Sequence, residues 1–381
     1  MKPRERVLKA LEHEEPDMVP IDLGGVNTSV HVVCYEELRR HLGVKGGRVE
    51  IAHMWQRIVK VEEPVYKALD IDFRHAWPAL ARAPVKTFPD GSYIDGWGIK
   101  WIRVGYYYEM APDGHPLKGL SPSEIDEYPW PDPYEEAEKT IPSLERVAKY
   151  YHEKTDYATV LNPGFGFFER SWYMRSFEEF FLDLKKRPYV ACKIMDKILD
   201  FQLKYCSEIL SAVSEYVDVV NLGDDLAMQD RPLISLETYR RYVKPRQRKL
   251  ISLIKAKAPH VKIFYHTCGS ARYFYDDLAE IGVDIINPVQ VSARDMGNTK
   301  ELKERYGDKL VFWGAIDTQR VLPFGSVEDV KEEVKRRIGD LAPGGGYVLC
   351  AVHNIQPGVP PENIVTMYKA AREYGRYPVR F

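Results

Sequence analysis

From about residue 155 onward, short runs of β-branched and apolar residues alternate with longer stretches whose apolar positions recur at helical spacing. "YATVLNP" (157–163) precedes "FFERSWYMRSFEEFFLDLKK", and "VDVVNLGDD" (217–225) precedes "SLETYRRYVKPRQRKLISLIKAK". "VKIFYHTCG" (261–269) leads into "ARYFYDDLAEIG", and "VDIINPVQ" (283–290), "KLVFWGAID" (309–317) and "YVLCAVHN" (347–354) continue the series. The alternation predicts βα units built around a parallel sheet. Two earlier runs, "MVPIDLG" (18–24) and "ALDIDFRHA" (68–76), bring the strands to the number an α/β fold of the (β/α)8 TIM-barrel class requires.

Between about 84 and 135 the pattern changes to a stretch rich in Gly, Pro and aromatic residues, with turn signals at "PDGSY" and "PDGHP". It reads as an inserted, aromatic-rich antiparallel hairpin region within a single barrel domain spanning 1–381. Packing of the insertion on the barrel is the expected role of most of its aromatics. "PDGHPLKG" (112–119) has the outline of an Asp-x-His-x-x-Gly cobalamin signature, but Lys118 stands at the glycine position. It is a coincidence of spelling.

In TIM barrels the chemistry sits at the C-terminal ends of the strands. Here those ends carry Asn162, Asp224-Asp225, His266 and Cys268, Asn287 and Gln290, Asp317, and Cys350, His353 and Asn354. Any one of them can equally begin a loop or cap a helix. The stretch "IFYHTCGS" (263–270) stands out, because residues two apart on a strand share a face, so His266 and Cys268 project together. With Cys350 at the end of the last strand, facing across the lumen, they form a candidate metal site with a fourth position open. Two thiolates and a neutral imidazole suit zinc. They leave Zn2+ formally neutral, which favours alkyl transfer to or from a bound thiol over activation of water. The bland alternative is a buried strand end with an inert cysteine.

The 381 residues carry 54 Lys+Arg against 56 Asp+Glu, so no basic footprint points to nucleic acid. Five cysteines, odd in number and widely spaced, suit reduced thiols better than a disulfide framework. The start, "MKPRERVLKALEHEEPDMVP", has no apolar signal segment, and no later run is long enough to span a bilayer. The expectation is a cytoplasmic protein with no membrane partner. Its oligomeric state is open, a homodimer included.

The segments "RERVLKALEHEEPDMVPID", "PLISLETYRRYVKPRQRKLI", "YHTCGS", "WGAIDTQRVLPFGSVEDVKEEV" and "HNIQPGVPPENI" resemble the uroporphyrinogen decarboxylase superfamily over nearly the whole chain. That resemblance implies a TIM barrel and one of two activities: cofactor-free decarboxylation of uroporphyrinogen, or zinc-dependent methyl transfer to or from corrinoid proteins. The decarboxylases hold substrate carboxylates with an arginine-rich segment, Met-Arg-Gln-Ala-Gly-Arg, where this chain reads "IDLGGVNTSVHVVCYEEL" with no arginine. The counterpart of their aspartate strand end is "DFRHAW", with Arg74 and His75. "CAVHNIQPGVPPENI" resembles their Asn-Leu-Gly-His-Gly-Ile segment, His353 matching the histidine and Cys350 replacing asparagine.

The corrinoid-dependent branch has a His-x-Cys and a distant Cys as zinc ligands, to which His266, Cys268 and Cys350 are matched. The resemblance therefore implies a zinc- and corrinoid-dependent methyltransferase. Its partners are a small methyl donor or thiol and a corrinoid carried by a separate protein. Asp224, Asp225 and His353 are the candidate catalytic groups, and Asn287, Gln290 and Asn354 the candidate substrate contacts. A decarboxylase, or a non-catalytic barrel that binds a corrinoid or tetrapyrrole, are the alternatives.

Overall fold

The apolar runs become seven parallel strands of one curled sheet in this computed structural model, which describes residues 1–78, 84–164 and 166–381. They are β1 (Phe73–Ala76), β2 (Ala158–Leu161), β3 (Val219–Gly223), β4 (Lys262–His266), β5 (Ile285–Asn287), β6 (Val311–Ile316) and β7 (Tyr347–Ala351). Each pairs with its neighbour in chain order, the connectivity of a TIM barrel.

The expected strand at 18–24 is reduced to a bridge. Ile21 pairs in parallel with Leu349 of β7, and on the other side its carbonyl accepts from Asp72 N at 3.1 Å, just before β1. Pro20 has no N–H to donate, so a regular ladder stops there, yet the segment still joins the two edge strands.

Alternate residues of the strands fill the interior, among them Phe73, Val160, Phe264, Trp313 and Cys350. Val7 and Leu11 of helix α1 (Pro3–Leu11) join that cluster and plug the N-terminal end, where Gly346 N donates to Ala10 O at 2.9 Å. The opposite end is left open for chemistry.

The insertion forms a four-stranded antiparallel sheet over residues 86–110. Its buried Trp101 stacks on Trp55, with ring centroids 5.3 Å apart and planes at 15°, so the aromatic packing expected of the insertion extends to the loop that flanks the mouth. His115 of the false cobalamin motif donates from Nδ1 to Tyr173 O at 2.7 Å and fastens the insertion to the barrel. Among the described residues no helix is long and apolar enough to cross a membrane.

Candidate metal centre at the barrel mouth

His266 ends β4, and Cys268 lies two residues beyond it with Sγ 3.1 Å from His266 Nε2. Asn287, in register with His266 on β5, fixes which imidazole nitrogen faces the thiol. Its Nδ2 donates to Trp313 O at 2.9 Å, so its Oδ1 faces His266 Nδ1 at 2.5 Å and must be the acceptor. His266 therefore carries its proton on Nδ1 and turns the Nε2 lone pair toward Cys268. Burial lowers the His266 pKa to about 4, against the opposing Asn287 hydrogen bond, and keeps the ring neutral.

Asn287 was expected to contact substrate; the structure makes it the residue that orients His266. Asn287→Ala is expected to weaken metal binding about 10–100-fold, the cost of removing such an outer partner. Metal titration followed by elemental analysis reads the loss.

The turn after His266 explains the glycine that ends the motif. Cys268 N donates to Asp225 Oδ1 at 2.9 Å, and Gly269 N to Gln290 Oε1 at 2.7 Å. Gly269 has φ +83°, and a Cβ there would lie 2.4 Å from Met228 O, so only glycine lets the two loops approach. Gln290 also donates to Gln229 Oε1 at 2.8 Å, so it braces the Cys268 turn.

The third expected ligand, Cys350, does not reach this group. It is 1% exposed in the packed interior layer with Phe73 and Trp313, where its thiol donates to Ala351 O at 3.2 Å. Burial and the nearby Asp22 push that thiol well above its ordinary pKa. Position 350 faces the lumen as expected, but below the rim.

Three residues on, His353 reaches the rim, and the ligand atoms of His266, Cys268 and His353 all lie within 4.8 Å of one another. Burial and the adjacent His266 lower the His353 pKa to about 3, with Asp225 opposing. Two neutral imidazoles and a thiol fit a zinc ion with a position left over. A zinc ion held there by one thiolate would leave a formal site charge of +1, not zero.

The dipeptide Asp224-Asp225 divides its work. The Asp224 carboxylate accepts from Glu169 N at 2.8 Å and also from Phe168 N, so it caps helix α2 (Phe167–Arg175). Burial raises its pKa well above the usual carboxylate range. A Cβ on Gly166 would fall 1.9 Å from that carboxylate, so the glycine is required by close approach. Asp224 thus positions helix α2 and holds Glu169 at the mouth.

Asp225 lines the cleft beside the ligand group. Burial raises its pKa, against the Cys268 N–H and His353. Asn354, 1% exposed, accepts from Ser29 N at 2.7 Å and donates to Val26 O at 2.9 Å and Gln56 Oε1 at 2.7 Å. It ties the loops around the mouth together. Asp317 likewise closes its own loop, accepting from Gln319 N and Arg320 N.

These groups border a cleft of about 430 Å³ lined by Glu169, Asp225, His266 and His353, with Asn221, Trp55 and neutral loop residues. A larger apolar pocket of about 770 Å³ opens alongside, past Gly164 and Leu222, and holds none of the metal-ligating side chains. Glu169, Trp55 and Asn221 escaped the sequence reading. An acidic residue in a helix's first turn looks like ordinary dipole pairing, and Trp55 and Asn221 lie outside any motif. Arg74, in the stretch matched to the decarboxylase aspartate, points away from the cleft. It pairs with Glu63 at 2.8 Å and lies 3.5 Å from the Tyr157 ring centroid.

Fold and site together define a TIM-barrel protein with a metal-competent His-Cys-His group at its mouth. Residues 104–374 match the family described as Uroporphyrinogen decarboxylase (URO-D), and the chain belongs to that family. It is 22% identical over 380 residues to the uroporphyrinogen decarboxylase of Alkalilimnicola ehrlichii, a match covering 97% of this chain and 93% of that one. A 27% identical match to the uroporphyrinogen decarboxylase of Prochlorococcus marinus covers 50% of this chain and 51% of that one. Among solved structures, a methyltransferase from Methanosarcina mazei superposes with a TM-score of 0.69 at 19% identity, over 98% of this chain and 99% of that one, a likeness of fold.

Proposed function

We propose that this protein is a zinc-dependent methyltransferase that moves a methyl group between a small donor or thiol and a corrinoid borne by a separate protein. The observation that carries the reading is the convergence of His266, Cys268 and His353 on one point of the open barrel end. Zinc held there would supply Lewis acidity toward the heteroatom that gains or loses the methyl group. Asn287 keeps the His266 lone pair aimed at the site, and Asp225 orders the Cys268 turn through its backbone N–H. Asp224 anchors α2 so that Glu169 borders the space where a substrate enters.

The relatives' names favour decarboxylation of a porphyrinogen. Such a substrate carries many carboxylates, which call for guanidinium partners. No Lys or Arg is among the described residues lining the cleft, and Val26 and Asn27 of the arginine-free N-terminal segment stand in its wall.

The test mixes the zinc-loaded protein, a corrinoid protein and a small substrate, and follows the corrinoid's visible spectrum. A change that requires all three, across a panel of methanol, methylated amines, thiols and methoxylated aromatics, supports the reading. Conversion of uroporphyrinogen to coproporphyrinogen by the metal-free protein would replace it with the decarboxylase.

A further inference from the structure

Beside the metal-ligating group the cleft is lined by three neutral amide side chains, Asn27, Gln56 and Asn221. We infer that they read an uncharged carboxamide at the far end of the substrate, a group that donates and accepts hydrogen bonds on separate atoms. This rests on the proposed function for the near end, since the metal group would hold the sulfur; the three amides decide the tail.

The first observation is a fixed acceptor. Asn221 on β3 is in register with the interior Phe264 of β4, while His266 pairs with Gly223, so Asn221 faces the lumen beneath the metal-ligating group. The two residues between those levels amount to roughly 6.6 Å along the strand, which a short tail spans. The orientation of Asn221 follows from Asn162, whose amide is set by three backbone groups. Asn162 Oδ1 accepts from Val26 N at 3.4 Å, and its Nδ2 donates toward Ala76 O and Val160 O at 3.4 Å each. Asn221 Nδ2 must then be the donor in the 3.0 Å contact to Asn162 Oδ1, which leaves Asn221 Oδ1 as an acceptor. No described residue donates to that oxygen, although the side chain is 4% exposed and lines the cleft.

The second observation is a fixed donor. Ser29 N holds Asn354 Oδ1, so Asn354 Nδ2 donates to Gln56 Oε1 at 2.7 Å. That contact commits the Gln56 carbonyl and leaves its Nε2 hydrogens, which no described residue accepts, to the cleft. Both amides are tied to one segment: Val26 N shares Asn162 Oδ1 with Asn221, and Val26 O shares Asn354 Nδ2 with Gln56. The acceptor and the donor therefore flank the same stretch of chain.

The third is Asn27, the next residue of that stretch. It is 9% exposed, lines the cleft, and its side chain bonds to no described residue, so it can offer either end of its amide. A ligand that only accepts would leave the nearly buried Asn221 Oδ1 unpaired, and one that does neither would leave Gln56 Nε2 unpaired as well. A carboxamide satisfies both.

The experiment uses three thiols with one head and different tails: mercaptoacetamide, methyl mercaptoacetate, which accepts but cannot donate, and isobutanethiol, which does neither. Binding to protein loaded with zinc, or with cobalt(II) so that sulfur ligation is visible in the spectrum, is measured by calorimetry and absorbance. The amide is expected to bind at least about tenfold more tightly than the ester. Asn221→Val should erase that advantage while leaving ester affinity within about twofold. Gln56→Leu should lower amide and ester affinity together, by about threefold to tenfold, with the alkyl thiol unchanged within about twofold. Metal content and circular dichroism confirm folded, loaded protein; should Asn221→Val not fold, Gln56→Leu and the ranking in the unaltered protein decide. Equal affinities for amide and ester, or a ranking untouched by both substitutions, would overturn the inference.

A parallel arm on metal-stripped protein compares acetamide with methyl acetate by saturation-transfer NMR. Preference for the amide in a protein that never binds metal would remove the zinc reading and keep the amide-reading cleft. Metal-dependent thiol binding with no ranking of the tails would do the reverse.

Discussion

His353→Ala is expected to strip the metal from this protein, whereas Cys350→Ala is expected to leave it bound. His353 contributes one of the three ligand atoms that lie within 4.8 Å of one another, and Cys350 is absent from that group. Losing a ligand should cost more than the roughly 10–100-fold that follows loss of an outer partner such as Asn287. The Cys350 thiol is packed among Phe73 and Trp313, so its truncation should appear as a stability loss of roughly 0.5–3 kcal/mol with metal affinity unchanged. Elemental analysis and denaturant melts on the two variants separate these outcomes. Metal loss in Cys350→Ala with retention in His353→Ala would restore the ligand set expected from the sequence.

The pH dependence of metal binding gives the second large effect. Burial holds His266 at about 4 and His353 at about 3, so above pH 5 both imidazoles are already neutral and surrender no proton to an arriving ion. Burial, reinforced by Asp225, pushes the Cys268 thiol well above its ordinary pKa, so that group is protonated and must release one proton. Affinity should therefore rise with pH by about tenfold per unit, on the order of 1000-fold from pH 5 to pH 8. Calorimetry in buffers of different ionisation enthalpy counts the protons directly. Two or three released per ion near neutral pH would show that an imidazole is charged in the free protein.

Both predictions turn on distinctions the sequence could not draw. Cys350 and His353 each sat at a plausible strand end, and the inward parity of position 350 was legible because side chains alternate along a strand. How far up the barrel a residue stands depends on strand tilt and stagger, which are properties of the closed sheet. Likewise nothing in "GDD" tells its two carboxylates apart until Gly166 and helix α2 pack against Asp224.

The chain by itself determined the alternation of strand and helix, and with it a parallel barrel whose C-terminal end carries the polar residues. It also determined the pairing of His266 with Cys268. These follow from relations between residues a few positions apart, where backbone geometry alone decides which side chains meet. Only the tertiary structure decided that His353 completes the ligand group, that Asp224 caps while Asp225 lines the cleft, and that Glu169, Asn221 and Trp55 share one wall. Those residues come from four separate segments and converge only when the barrel closes and the insertion packs on it. No local pattern encodes such a meeting, because its geometry is set by the sheet's curvature and by the packing of elements far apart in the chain.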